Sequence, residues 1–322
     1  MYRIEKYDSL YHKMWNDFVE SSKNGTFLFH RDFMEYHKDR FEDYSLMIFD
    51  EQKLVAIFPA NREGDTVYSH KGLTYGGLVY GNKIKLSGVI KIYNSLLKYF
   101  YDNNIVTFHL KPVPSIYHKL PSQEQEYVMF LINAKLSRRD GLSVIDRDVM
   151  LPITKSRKEA IKRGKKKDLV IIEEPNFKLF WEEILIPNLK KKHDSEPVHT
   201  ALEMEYLYKK FPEQIRHFNV YHNNKIVAGT TMFITDTVAH PQYISGQEDK
   251  NTLGSLDYLY DYLINLFSDK KYFDFGPSTE EQGRKLNEGI LFWKESFGAR
   301  TMIQDFYEVN TTNPHLLDDT LQ

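Results

Sequence analysis

The sequence contains no cysteine, which excludes disulfide staples, thiolate metal sites and a cysteine nucleophile together. No run approaches the ~20 consecutive apolar residues that a membrane-spanning helix needs. The opening MYRIEKYDSL has no apolar core of the signal-peptide kind. The expectation is a soluble cytoplasmic protein. Neither sign of charge dominates: 43 Lys and Arg stand against 45 Asp and Glu, a net charge of −2. No global field therefore draws the chain to nucleic acid or membrane, and any such attraction must be local. Neither G-x-G-x-x-G nor G-x-x-x-x-G-K-S/T occurs, so dinucleotide and P-loop readings lack their motif.

What is present is material for two cores. At 322 residues the chain exceeds the usual size of one core, and its 22 Tyr and 21 Phe supply bulk to bury. A helix is expected after Asp8 or Ser9, with Leu10, Met14, Trp15, Phe18 and Val19 on one face. A hairpin follows over Tyr44–Asp50 and Lys53–Ala60, then Thr66–His70, the stretch Tyr75-Gly76-Gly77, a helix over Leu86–Tyr101 and a strand over Ile105–Leu110. The second half repeats that order. Helices around Phe177–Leu185 and Ala201–Phe211 lead to a hairpin over Phe218–Tyr221 and Ile226–Ile234 and a strand over Val238–Gly246. A helix over Ser255–Phe267, a strand over Tyr272–Phe275, a helix over Lys285–Phe297 and a strand over Thr301–Glu308 complete it. Residues repeat as well as elements: Ile48–Ala56 aligns without gaps on Val220–Ala228, and Asp102–Phe108 on Asp269–Phe275. Two blocks in the same order argue for a duplicated domain. The expected division is 1–148 and 149–322, near Asp146–Thr154, and the layout is mixed α/β or α+β.

Three segments carry a resemblance: Ile226–Phe233, Phe273-Asp274-Phe275-Gly276-Pro277-Ser278, and Phe292–Arg300 with its K-x-x-F-G element at Lys294–Gly298. They resemble the C-terminal domain of the Fem-like (FemAB-related) acyltransferases, which are proteins of two tandem GNAT-like acyl-CoA N-acyltransferase domains. That family includes peptidyltransferases using aminoacyl-tRNA and relatives using acyl-CoA in polysaccharide or nucleotide-sugar pathways. The resemblance implies an acyltransferase whose second domain holds the donor and whose interdomain cleft holds the acceptor. It places the lysine of the motif, here Lys294, at the active site, where a cation can stabilise an oxyanion or hold an acceptor phosphate. The tRNA-using members often carry a long helical arm in the second domain. Pro187 and Pro197 interrupt the corresponding segment here, which favours acyl-CoA as donor substrate. The acceptor implied is an amine or hydroxyl of a nucleotide-sugar or cell-envelope precursor, with tRNA the less favoured partner. A non-catalytic ligand-binding double domain is the third reading.

Acyl transfer to an amine requires a held donor, a neutral nucleophile and a stabilised oxyanion. Strand alternation sets Asp274 opposite Phe273 and Phe275, where it serves as a base or amine-orienting group, or caps the turn Gly276-Pro277-Ser278. His199 is a second base candidate, since imidazole suits proton transfer near neutrality. The loop Gly246–Ser255 joins a strand to a helix, and Gln247, Gly254 and Ser255 are the cofactor-binding candidates. Glu248 and Asp249 in that loop repel phosphate, and an ordinary N-cap serine explains Ser255 equally. Tyr243, Glu248, Arg284, Glu288 and Trp293 are substrate-binding candidates, with Tyr75 and Gly76 for an acceptor groove in the first domain. Lys155–Lys167 holds eight basic residues against Glu159 alone. It reads as a solvated helix, as a nucleic-acid patch with steep salt dependence, or as a grip on a phosphate-rich ligand through Arg157 and Arg163. His193, His199 and Glu203 invite a metal reading, but no third ligand motif follows. Thr200 with Glu203 is a capping box that accounts for them without metal.

Overall fold

A computed structural model describes residues 2–248 and 250–321, and within it the chain divides into two compact units. The first holds the chain up to Asp140 together with Glu281–Arg284 and the stretch from Ile303 onward. The second holds Gly141–Glu280 and Lys285–Met302. The chain thus leaves the first unit and returns to it at its C-terminal end.

In the first unit, strands Arg3–Lys6, Leu46–Asp50, Lys53–Phe58 and Val79–Tyr80 pair antiparallel in that order. Thr66–Tyr68 pairs parallel with Thr107–Leu110, which pairs on its other side with Tyr307–Asn310. The helix Leu86–Asp102 turns Val89, Tyr93, Leu96 and Phe100 inward at three- and four-residue steps, onto the strand residues Ile48, Ala56 and Phe108. The first helix differs in part from expectation. Asp8 caps it by accepting the Leu10 N–H at 2.8 Å, and Trp15 and Val19 are buried. Leu10 and Met14, however, are exposed at 90% and 44%: Leu10 sits in a 3₁₀ turn, Ser9–Tyr11, ahead of the α-helix, and Met14 lies beside the buried stripe of the helix rather than in it.

The second unit is labelled by the elements that build its site. A basic helix α1 (Lys155–Lys165) leads through Phe177–His193 and Ala201–Lys210 into a meander of β1 (Ile215–His222), β2 (Lys225–Ile234) and β3 (Val238–Gly246). Then come α2 (Ser255–Leu266), β4 (Tyr272–Pro277) and α3 (Glu288–Glu295). The core joins Phe218, Val220 and Met232 of the meander to Tyr260, Leu263 and Ile264 of α2 and to Phe273, Phe275 and Phe297. The helix expected from Lys285 begins only at Glu288, because the Asn287 side chain caps it by accepting the Ile290 N–H at 3.0 Å. Lys285–Leu286 is instead a short strand paired with Thr279–Glu280.

Parallel pairing joins β3 to β4 only at Val238↔Tyr272 and Ala239↔Phe273. Beyond Phe273, β4 continues against the strand segment Gly141–Asp146, with an irregular register between Asp274 and Pro277. The start of α2 is packed tightly against α1. Gly254 takes φ +70°, and a Cβ there would lie 2.5 Å from the Ala160 carbonyl oxygen. Gly254→Ala is therefore both strained and overpacked, and should destabilise the protein by roughly 2–4 kcal/mol. Urea unfolding checks this; a change under about 0.5 kcal/mol would show that α1 and α2 do not meet as closely as described.

Candidate functional site

The site forms where β3 and β4 cease to pair. His240 is the first residue of β3 beyond the last parallel pair, and Asp274 is its counterpart on β4. The His240 Nδ1–H donates to the Asp274 carbonyl oxygen at 2.8 Å and lies 3.4 Å from the Asp274 carboxylate. A carbonyl only accepts, so the Nδ1 position carries the proton and Nε2 keeps the lone pair in the neutral ring. Asp274 is buried, and its Oδ1 accepts the Gly276 N–H at 2.8 Å, closing the turn that Gly276 makes with φ +76°. The carboxylate thus fulfils the turn-capping alternative while its other oxygen faces the imidazole.

Lys294 reaches this turn from α3. Its Nζ donates to the Gly276 and Pro277 carbonyls at 3.0 and 2.7 Å. Lys294 is only 4% exposed, unlike an ordinary solvated lysine on a helix. Burial disfavours the charged form and brings the ammonium down to about 8, opposed by the Asp274 carboxylate, which favours charge. Two of its three N–H bonds are engaged, which leaves one to donate elsewhere. Behind it, Ser278 and Ser143 share a hydrogen bond at 2.9 Å.

A second cluster supports α3 from below. Asp257, on the first turn of α2, pairs with Arg157 and accepts the Trp293 Nε1–H at 2.9 Å. Arg157 also donates to Ser296 Oγ at 2.7 Å and lies over the Phe297 ring. Arg157 is thus held among protein groups, bonded to Asp257 and Ser296.

The remaining candidates lie elsewhere. His199 and Tyr243 meet each other, Nδ1 to Oη at 2.6 Å, and are enclosed with Trp181, whose Nε1–H donates to the His199 carbonyl at 2.8 Å. Thr200 and Glu203 form the expected capping box. Gln247 and Glu248 border a cavity of about 370 Å³ with Glu183, Pro187, Asn188 and Lys191, and Glu248 pairs with Lys191. Gly254 and Ser255 are buried at the start of α2, with Gly254 against α1. In the first unit, Tyr75 is buried with its hydroxyl on Thr26 Oγ1 at 3.1 Å, and the Gly76 N–H donates to the Lys111 carbonyl at 2.7 Å. Arg163, Arg284 and Glu288 are exposed. Asp249 and the His193 side chain lie outside the described residues.

No family model and no curated protein matches the sequence. Solved structures do match. The crystal structure of FemX superposes with a TM-score of 0.66 at 8% identity, over 99% of this chain and 100% of that one. The chain has the Fem-like tandem GNAT fold. L-PGS from Bacillus licheniformis matches with a TM-score of 0.59 at 10% identity, over 98% of this chain and 94% of that one. A tandem GNAT protein from the clavulanic acid biosynthesis pathway, in a form without AcCoA, gives 0.53 at 10% identity over 97% and 99%. At such identities the likeness carries the fold alone.

The two units differ in what they bury near one helix end. Asn133 and Gly298 each leave a helix with positive φ, their N–H groups bonded to the Phe130 and Glu295 carbonyls. Four residues before them stand Met129 and Lys294, both buried. His240 and Asp257 escaped the sequence reading because neither lies in a motif; only the end of parallel pairing and the neighbourhood of Arg157 single them out.

The burial of Lys294 makes a pH prediction. Its folded-state value lies below the ordinary 10.5, so between about 8 and 10.5 the unfolded chain holds the extra proton and stability rises with pH. Relative to Lys294→Met, the wild type should gain up to about 3 kcal/mol as pH rises from 7 past 10. Urea unfolding of both proteins at several pH values measures the difference, and a constant difference would refute the buried-ammonium description.

Proposed function

We propose that the chain is an acyltransferase that moves an acyl group to an amine or hydroxyl of a nucleotide-sugar or cell-envelope precursor, with its chemistry in the second unit. The observation that carries this reading is the buried Lys294 ammonium, which bonds the Gly276 and Pro277 carbonyls of the turn that the Asp274 carboxylate closes and keeps one N–H to donate. In this reading Lys294 stabilises the oxyanion that develops when the acceptor attacks the acyl carbonyl. His240 Nε2 takes the proton that the attacking amine loses and passes it to the donor's leaving oxygen or sulfur as the acyl bond breaks, and Asp274 orients the imidazole. Asp257, Arg157 and Trp293 hold α3 in register. Tyr75, Gly76, Arg284 and Glu288 remain candidates for the acceptor's contacts, and His199 with Tyr243 supports the meander from within.

One observation bears on the donor. A pyrophosphate at a helix start needs open backbone N–H groups, and the start of α2 is buried, with Gly254 packed on the Ala160 carbonyl. This favours the second reading, in which the donor is aminoacyl-tRNA rather than acyl-CoA. Calorimetric titration with acetyl-CoA and free CoA, alongside a tRNA-binding assay, separates the two. Saturable micromolar CoA binding would restore acyl-CoA as donor. Absence of binding at millimolar CoA, with tRNA retained, supports aminoacyl-tRNA. With an active donor in hand, Lys294→Met should lower kcat by roughly 10²–10³-fold. If the protonated ammonium is the working form, the wild-type rate falls as pH rises through about 8. A variant with unchanged kcat would remove Lys294 from the chemistry.

A further inference from the structure

The basic helix α1 has no part in the site just described, apart from Arg157. Its buried face consists of Ala160, Ile161 and Gly164, packed on α2. On the opposite side Lys155, Lys158, Lys162 and Lys166 follow at three- and four-residue steps, all exposed, along roughly 16 Å of helix. Among the described residues none of these four has an ion-pair partner, whereas Lys165 is paired with Asp261. Glu159 is the one acidic residue of the helix. A row of cations with so little internal neutralisation calls for an external polyanion.

The segment directly ahead of the helix narrows the choice. Val149, Met150 and Leu151 are exposed at 68%, 57% and 38%. They are three consecutive apolar residues in a stretch pinned to the body of the unit, because the Thr154 N–H donates to the Ser296 carbonyl at 3.0 Å. α1 offers no aromatic on which the bases of a single strand would stack. An anionic bilayer uses both features, since lysines meet lipid phosphates while a short apolar wedge enters the interface. No described helix is long and apolar enough to cross a membrane, so this contact is peripheral.

We infer that α1 and the Val149–Leu151 segment dock the protein on an anionic phospholipid surface. The segment that touches lipid is bonded at Thr154 to the end of α3, the helix that carries Lys294. Docking therefore brings the site to a membrane at a fixed offset, where a lipid-linked acceptor can be reached.

The test is co-sedimentation of the full chain with vesicles of phosphatidylcholine alone or with about three parts in ten phosphatidylglycerol, at low and raised salt. Wild type should bind the anionic vesicles at least ~10-fold more tightly than the neutral ones, and more weakly as salt rises. The variant Lys158→Glu/Lys162→Glu/Lys166→Glu should lose at least ~10-fold in binding to anionic vesicles. Val149→Ser/Met150→Ser should lose several-fold, with the loss most visible at raised salt, where apolar contact dominates. The second variant leaves every lysine in place and so decides the matter even if the first misfolds. Equal binding of wild type and the Val149→Ser/Met150→Ser variant would overturn the proposal. So would a failure to bind anionic vesicles, or a loss of tRNA binding in the triple variant without vesicle binding in the wild type, which would assign the helix to nucleic acid.

Discussion

A lysine ammonium held almost out of water by two backbone carbonyls is the constraint around which the second unit is arranged. Gly276 and Pro277 present those carbonyls only because the turn is bent at Gly276, and that bend is closed by the Asp274 carboxylate. Asp274 faces His240 only because the parallel pairing of β3 and β4 stops one residue earlier. On the other side, Lys294 reaches the turn only while α3 is held by Trp293 on Asp257 and by Ser296 on Arg157. Each contact is modest in water, but in a buried network the loss of one member leaves the others unsatisfied at greater cost.

The comparison between units sharpens this. The duplication visible in the sequence extends to the helix end, where Asn133 and Gly298 make the same positive-φ exit. Yet the first unit buries Met129 where the second buries Lys294. Four residues before that exit, one unit buries an apolar side chain and the other a cation.

Periodicity made much of the architecture legible. Val238–Gly246 was bounded correctly because turn residues flank it, and Thr200 with Glu203 announced their helix through cap chemistry. Lys294 and Asp274 stand out in the sequence through a motif, and in the structure both bond the turn at Gly276. Other features depend on tertiary context that no local pattern records. Leu10 has the right spacing for a core face but sits in a 3₁₀ turn. Arg157 has the right chemistry for a phosphate but is claimed by Asp257, a hundred residues away. His240 gains its meaning from where a strand pair ends, and strand pairing is long-range. The strand Lys135–Asp146 was missed because its first half is charged and polar, with no alternation to mark it.

The route of the chain through the first unit has a consequence for biosynthesis. Thr107–Leu110 finds its antiparallel partner in Tyr307–Asn310, a segment made only after the whole second unit. While the ribosome is still making the second unit, that strand has an unsatisfied edge, with backbone N–H and C=O groups open to any other extended segment. Completion of the first unit thus waits on Tyr307–Asn310. A chain that stalls or is clipped ahead of residue 303 would leave the earlier-made unit, rather than the later one, with an incomplete sheet.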